Sequence, residues 1–160
     1  MKRNLLSSIC LGIFSCTLVT YFLKRYWTKQ LCTLRQTEDK LQDHYWLLNH
    51  WLELKNEGKS VANYFKDMGY QHIAIYGMSD LANRLMEDLS GSSICVDYGI
   101  DQDICCSITR IDNVYFPEDD LPETDVIVVT PYSALESIKS VLEKKVSCPI
   151  ISLEDVVWSV

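Results

Sequence analysis

Residues 72–89 of this 160-residue chain are HIAIYGMSDLANRLMEDL, and this stretch decides the fold class. Its first part, residues 73–76, is a short apolar run of the kind found in a parallel strand that is covered on both faces. Gly77 then interrupts the run, and Ser79 is a good N-cap whose hydroxyl can accept an amide proton. Apolar residues follow at helical spacing: Leu81, Leu85, Met86 and Leu89. The stretch therefore predicts a buried strand, a tight glycine turn and an amphipathic helix in direct succession.

Further strands and helices extend this pattern along the chain. The other predicted strands are residues 94–98, 114–115, 126–130 and 149–151. The sequence VIVVT at 126–130 is the clearest central strand because it is continuously apolar and β-branched. Ser133 and Glu136 predict a capping box at the start of the helix after it. Strands that alternate with helices imply right-handed crossovers, so the predicted fold is a small Rossmann-like, doubly wound parallel α/β sheet of four to five strands.

The N-terminal segment is apolar over an unusual length. No charged residue occurs in residues 4–23, and basic pairs flank this stretch at residues 2–3 and 24–25. A stretch of this length can cross a hydrocarbon core, which predicts a transmembrane helix within residues 1–25; a cleaved signal peptide is the alternative. The more basic flank follows the stretch, so the positive-inside rule predicts a single-pass membrane protein whose remaining chain faces the cytoplasm.

Residues 26–58 predict a helical stalk that ends at Gly58. Apolar residues there recur in steps of three, four and seven and form a seam that consists of Leu31, Leu34, Leu41, Tyr45, Leu48 and Leu52. The seam can pair with that of a second copy in a coiled-coil homodimer, although Glu38 occupies one seam position. Packing of the seam against the chain's own domain is the alternative. The predicted domains are thus a membrane anchor at 1–25, the stalk at 26–58 and the α/β domain at 59–160.

Composition and charge exclude several classes of function. The formal net charge of -7 argues against a nucleic-acid surface, which needs clustered lysine and arginine. The seven cysteines are odd in number and lack paired CxxC spacing, so we predict neither a metal site nor a disulfide framework. The histidines, His44, His50 and His72, lie on the stalk and at the head of the first strand. Catalysis in parallel sheets occurs at the other ends of the strands. Because the sequence also shows no nucleophile with a neighbouring base and no known catalytic motif, we predict no catalytic residues and favour a protein that is not an enzyme.

The candidate binding residues are Gly77, Met78, Ser79, Asp101 and Thr130. Ligands of open parallel sheets bind beyond the carboxyl ends of the strands, where Gly77 and Thr130 would lie. The turn has the length of the dinucleotide motif G-x-G-x-x-G, with Ser79 and Ala82 at the second and third glycine positions. Ser79 can still offer its amide to a phosphate at a helix start. Asp101 follows Gly77 by 24 residues, close to the spacing of the acid that binds a ribose. The structural alternative is a strand-to-helix turn and a solvated aspartate without a ligand.

Five segments of the chain, between about Tyr45 and Val156, carry a family resemblance. They are LLNHWLELKNEGKSVANYF at 47–65, IAIYGMSDLANRL at 73–85, YGID at 98–101, DDLPETDVIVVTP at 119–131 and CPIISLEDV at 148–156. These segments resemble small Rossmann-like domains of bacteria that accompany surface-polysaccharide and glycosyltransferase systems, and related nucleotide-binding folds begin certain sugar acyltransferases. Members often carry a second glycine where this chain has Ser79, and a basic residue where it has Gln102. The resemblance implies a Rossmann-like fold and a role in cell-surface polysaccharide biosynthesis.

These observations lead to three hypotheses for the function. The first is a membrane-anchored, non-catalytic Rossmann-like module that binds a nucleotide, NAD(P) or a nucleotide-sugar, or a glycosyltransferase-type partner. The second is a structural adaptor that dimerises through the seam and binds no ligand. The third is a small NAD-dependent oxidoreductase or epimerase, which the missing catalytic residues disfavour.

Overall fold

The computed structural model describes the backbone of residues 2–103 and 111–160, and the side chains of residues 19–103 and 111–160. The chain divides into two compact units, residues 1–45 and residues 46–160. A long helix, α1 (Lys2–Asn56), begins in the first unit and ends in the second. Gly58 adopts a left-handed backbone with φ of +75°, and its amide bonds the Lys55 carbonyl at 3.0 Å. Gly58 therefore stops the helix as the sequence predicts.

The predicted single-pass membrane location is wrong. In the part of the chain that the structure describes, no helix is long and apolar enough to cross a membrane. In the part of α1 whose side chains the structure describes, which begins at residue 19, basic side chains occur at Lys24, Arg25, Lys29 and Arg35. Charged side chains are costly in hydrocarbon, so the part of α1 whose side chains are described lacks the long apolar stretch that a span needs. The side chains of residues 1–18, which make up most of the predicted anchor at 1–25, lie outside the described residues.

A five-stranded parallel sheet forms the centre of the described part of residues 46–160. Its strands are β1 (His72–Tyr76), β2 (Cys95–Ile100), β3 (Val114–Tyr115), β4 (Val126–Val129) and β5 (Ile150–Ser152). Their order is β3-β2-β1-β4-β5, and every neighbouring pair is parallel. The predicted parallel α/β sheet is thus confirmed. The order reverses between β1 and β4, which are adjacent in the sheet although β2 and β3 separate them in the chain.

Helices cover both faces of this sheet. They are α2 (Ala62–Asp67), α3 (Asp80–Leu89), α4 (Leu135–Leu142) and α5 (Leu153–Trp158). Successive strand residues point to opposite faces, which is why the central strands are apolar throughout. On β1, Ile73 and Ile75 join an apolar cluster with residues of α2, α3, α5 and the end of α1. Ala74 and Tyr76 join the opposite cluster, to which α4 contributes Ile138.

The end of α1 is part of the second unit. Leu47, Trp51 and Leu54 are buried there in the same cluster as α2 and α3. The seam residues Leu48 and Leu52 are instead 41% and 57% exposed. The alternative in which the seam packs against its own domain is therefore wrong for these two residues. The neighbouring face of α1, which carries Leu47, Trp51 and Leu54, packs against the domain instead.

A buried carboxylate joins α1, α2 and α3. Asp88 of α3 is almost fully buried, and its Oδ2 accepts hydrogen bonds from Trp51 Nε1 at 2.8 Å and from the Val61 amide at 3.2 Å. Its Oδ1 accepts from Lys55 Nζ at 2.8 Å. The hydroxyl of Ser60 donates to the Asp88 carbonyl at 3.3 Å. One residue thereby satisfies buried donors from two other segments of the chain.

Candidate functional site

A cleft of about 500 Å³ opens where β1, β2 and β4 end. It is lined by all five predicted binding residues: Gly77, Met78, Ser79, Asp101 and Thr130. The other residues of the lining are Tyr76, Gln102, Pro131, Ala134, Ser137 and Ile138. The cleft lies at the sheet edge where the strand order reverses. Because Gly77 and Thr130 follow adjacent parallel strands, the fold brings them together although they are far apart in the sequence.

The turn after β1 is pressed against the end of β4. Gly77 has a φ of +92°, a conformation that side chains disfavour. A Cβ atom on Gly77 would also lie 2.7 Å from Pro131 Cδ and 2.8 Å from Thr130 Oγ1. The buried Thr130 hydroxyl donates to the Gly77 carbonyl at 2.8 Å. The glycine is therefore required for two reasons within the protein itself, its backbone angle and its contact with β4.

The backbone amides of residues 77–79, the first part of this turn, each have an acceptor within the protein. The Gly77 amide donates to the Ile100 carbonyl at 2.8 Å, and the Ser79 amide donates to the Gly77 carbonyl at 3.1 Å. Between them, the Met78 amide donates to Asp101 Oδ2 at 2.6 Å. The other oxygen, Asp101 Oδ1, accepts from the Asp103 amide at 2.9 Å. A carboxylate of the protein thus lies where a phosphate would bind the central amide.

Met78 and Ser79 contribute to the cleft in different ways. The Met78 side chain is buried, and its sulfur packs so closely over Gly99 that a Cβ there would lie 2.7 Å from it. Ser79 is the N-cap residue of α3 as predicted, but its hydroxyl makes no capping hydrogen bond, so that expectation is wrong. Its extended backbone, with φ of -109°, does not require glycine. The exposed Ser79 hydroxyl is therefore available to a ligand.

Several polar residues line the cleft although no sequence pattern predicts that they belong to it. The Tyr76 hydroxyl is hydrogen-bonded to the Gln102 side chain, and Ser137 lies on α4 with its hydroxyl bonded to the Ala134 carbonyl at 2.7 Å. Burial raises the pKa of the Tyr76 phenol, and the charges of Asp101 and Glu118 act in the same direction. The phenol consequently keeps its proton at neutral pH. Gln102 and Ser137 are exposed, and the topology alone brings them to this edge.

The lining has one charged side chain, Asp101, and contains no lysine, arginine, histidine or cysteine. His72 lies at the other end of β1, where its Nδ1 is 2.9 Å from Asp97 Oδ1. Among residues 19–103 and 111–160, no group of three or more histidine, cysteine, aspartate or glutamate side chains is placed to hold a metal ion. The lining residues therefore offer hydrogen bonds and an apolar wall, and they include no nucleophile with a neighbouring base.

Comparisons with known proteins leave the family of the chain open. The resemblance to Rossmann-like domains of surface-polysaccharide systems stays a prediction, and so does the role of each cleft residue. No protein-family model, no curated protein and no solved structure matches the chain.

Proposed function

We propose that this protein is a non-catalytic Rossmann-like module that binds the nucleoside part of a nucleotide or nucleotide-sugar in the cleft. The observation that carries the proposal is the convergence of the segments after β1, β2 and β4 on one concave surface. The strand order β3-β2-β1-β4-β5 supports it, because dinucleotide-binding sheets have this order and bind their ligand at the reversal. A volume of about 500 Å³ is within the usual range of small-molecule sites.

The groups that line the cleft suit a nucleoside. Each carboxylate oxygen of Asp101 accepts one amide and keeps a second acceptor position, which can take a ribose hydroxyl. Ser79 and Gln102 add polar side chains beside it, while Pro131 and Ile138 add an apolar surface for the flat face of a base. A role in polysaccharide biosynthesis rests on the family resemblance alone and is part of the same proposal.

Obstruction of the cleft tests this proposal. In the full chain, Ser137→Trp places an indole in the cleft, and Ser140→Trp places one on the same helix outside the lining. Adenosine, uridine, NAD, ATP and UDP-glucose serve as probes in calorimetry and thermal-shift titrations. A probe at ten times its Kd stabilises the folded state by about 1.4 kcal/mol. We expect at least one probe to bind the wild type and Ser140→Trp, and to lose binding with Ser137→Trp. Failure of all five at millimolar concentration would refute the proposal.

A second candidate function is that of an adaptor that associates through α1. The observation that favours it is the exposure of the seam, since Leu31, Leu34 and Leu41 are 55%, 63% and 66% exposed. Large apolar side chains in a row at heptad spacing commonly mark a surface that binds another helix. The partner proposed is a second copy of the chain.

Sedimentation velocity of the full chain tests the adaptor. Leu34→Lys and Leu41→Lys place a charge on the seam and should shift the dimer toward monomer at micromolar concentration. Gln36→Lys adds the same charge outside the seam and should leave the dimer intact. A wild-type monomer, or equal sedimentation of all the variants, would refute this second function.

A further inference from the structure

We propose that the ligand of the cleft is a nucleotide-sugar, and that its hydroxyl-rich glycosyl group occupies a second cavity beside the cleft. The inference rests on the proposed function, because it specifies the second part of the ligand that enters the same site. It is carried by the position, the size and the polar groups of this second cavity.

The second cavity has a volume of about 250 Å³ and adjoins the cleft at the carboxyl edge of the sheet. The cleft and the second cavity share four lining residues: Tyr76, Gln102, Ser137 and Ile138. From this boundary the second cavity extends to the loop after β3 and along α4, where its lining consists of Pro117, Glu118, Val141 and Leu142. It thus continues the cleft by about one turn of α4, roughly 5 Å.

The size of the second cavity suits one part of a ligand and not a whole ligand. Cavities that bind a complete small molecule have volumes of about 300–1,000 Å³. The cleft lies within this range and the second cavity lies below it. A ligand whose nucleoside is held in the cleft can therefore place one further compact group, such as a monosaccharide ring, in the second cavity.

Hydrogen bonds within the protein hold the wall of the second cavity on the side of β3. The Phe116 amide donates to Asp119 Oδ2 at 2.8 Å. The ammonium of Lys145 donates to the Glu118 carbonyl and, at 3.3 Å, to the Asp119 carbonyl. These bonds join the loop after β3 to the segment after α4. Because the wall is formed without a ligand, less conformational entropy is lost on binding.

The polar groups of the second cavity suit the hydroxyls of a sugar. The carboxylate of Glu118 is exposed, and within residues 19–103 and 111–160 it has no hydrogen-bond donor or cation as a partner. A carboxylate oxygen accepts hydrogen bonds from hydroxyls. The Ser137 hydroxyl donates to the Ala134 carbonyl and keeps its own oxygen as an acceptor. Pro117 and Leu142 are buried and add an apolar surface against which the C–H groups of a sugar ring can pack.

The experiment compares each nucleotide with its sugar-bearing form by calorimetry on the full wild-type chain. The two pairs are UDP with UDP-glucose and ADP with ADP-glucose. The phosphate groups next to the nucleoside are the same within each pair, so a difference in Kd reports the glycosyl group. In the pair whose nucleotide binds, we expect the Kd of the sugar-bearing form to be at least tenfold lower.

A matched pair of variants tests where the glycosyl group lies. Val141→Trp fills the second cavity from an exposed position and leaves the lining of the cleft unchanged. It should raise the Kd of the sugar-bearing form to that of the nucleotide and change the nucleotide Kd by less than twofold. Ser140→Trp adds an indole to the same helix outside both linings and should keep the tenfold difference. Glu118→Gln should weaken the sugar-bearing form alone, by several-fold.

The outcomes separate this inference from the proposed function. Equal Kd values within each pair for the wild type would overturn the inference and leave the nucleotide module standing. Equal weakening of both members of a pair by Val141→Trp would overturn it as well. Absence of binding by all four compounds would also overturn it, whereas the proposed function fails only if adenosine, uridine, NAD and ATP fail too. The wild-type comparison decides the matter even if Val141→Trp proves unstable.

Discussion

Asp88 is the residue on which the contacts of α1, α2 and α3 converge, and its removal should be costly. Asp88→Ala leaves the Trp51 indole and the Val61 amide buried without an acceptor. Each unsatisfied buried donor costs about 1–3 kcal/mol. We therefore expect the free energy of unfolding to fall by about 2–5 kcal/mol in urea titrations.

The neighbouring residue supplies the control for this prediction. Glu87 lies on the same helix, is exposed, and pairs with Arg84 at 2.7 Å. Glu87→Ala should lower the free energy of unfolding by less than about 1 kcal/mol because exposed ion pairs contribute little. Similar losses for the two variants would show that the Asp88 contacts are not what stabilises this region.

The pKa of Asp88 predicts how the same contacts depend on pH. Burial raises the pKa of this carboxyl, but hydrogen bonds from Lys55, Trp51 and the Val61 amide outweigh burial and hold it below its ordinary 3.8. A group whose folded-state pKa is lowered stabilises the fold above its unfolded pKa and loses that contribution as the pH falls. The stability difference between wild type and Asp88→Asn should thus be constant at neutral pH and shrink below about pH 4. Urea titrations from pH 7 to pH 3 measure it, and a difference that grows on acidification would contradict the assignment.

Single residues show where sequence reasoning reaches its limit. The spacing of Asp101 from Gly77 predicts that it lies near the cleft, because β1 and β2 are parallel neighbours. Its bond to the Met78 amide depends on the path of the chain after β2, which no periodic pattern describes. Asp88 lies at helical spacing from Leu81 and Leu85, and its side-chain partners are 27 to 37 residues away in the sequence. Contacts between residues so far apart in the sequence depend on the tertiary fold, and local sequence patterns do not predict them.

At the scale of elements, the turn between β1 and α3 should depend on the absence of a side chain at Gly77. Gly77→Ala combines a disfavoured backbone angle, which costs about 1–2 kcal/mol, with overlap against Pro131 and Thr130, which costs about 1–3 kcal/mol more. Gly91→Ala is the matched control, because Gly91 has a φ of +79° but open space around its Cβ position. Thermal unfolding should show the larger loss for Gly77→Ala. Equal losses would mean that the turn can move away from β4.

The sequence predicts those helices and strands best whose buried residues recur in a regular pattern. The strands β1 and β4 are predicted because both of their faces are buried, so that their residues are continuously apolar. The predicted capping box at Ser133 and Glu136 is wrong, since a 3₁₀ turn at Tyr132–Ala134 precedes α4 and no side chain caps that helix. The helix α5 was not predicted. Its six residues are too few for a periodic pattern, although the Ser152 hydroxyl caps it by accepting from the Asp155 amide at 3.0 Å.

At the scale of the whole molecule, the order of the strands is the feature that sequence patterns constrain least. Alternating strands and helices predict a parallel sheet, but they leave open which strands are neighbours. The adjacency of β1 and β4 creates the cleft, and it brings Ser137 of α4 to the same edge as Asp101. The five predicted residues lie together because each one follows a strand end, whereas Ser137 lies within a helix.

The extent of the folding unit gives the last prediction. Leu47, Trp51 and Leu54 of α1 are buried in the core of the second unit, and burial of three such side chains stabilises a fold by roughly 5–9 kcal/mol. That contribution is comparable to the whole stability of a domain.

A fragment of residues 40–160 keeps these side chains, with a helical turn before them, and should unfold cooperatively in urea. A fragment that begins at the predicted domain boundary, residues 59–160, lacks them and also the Trp51 and Lys55 partners of Asp88. It should lose its near-ultraviolet circular dichroism and cooperative unfolding. Equal unfolding midpoints for the two fragments would show that the end of α1 is dispensable to the sheet.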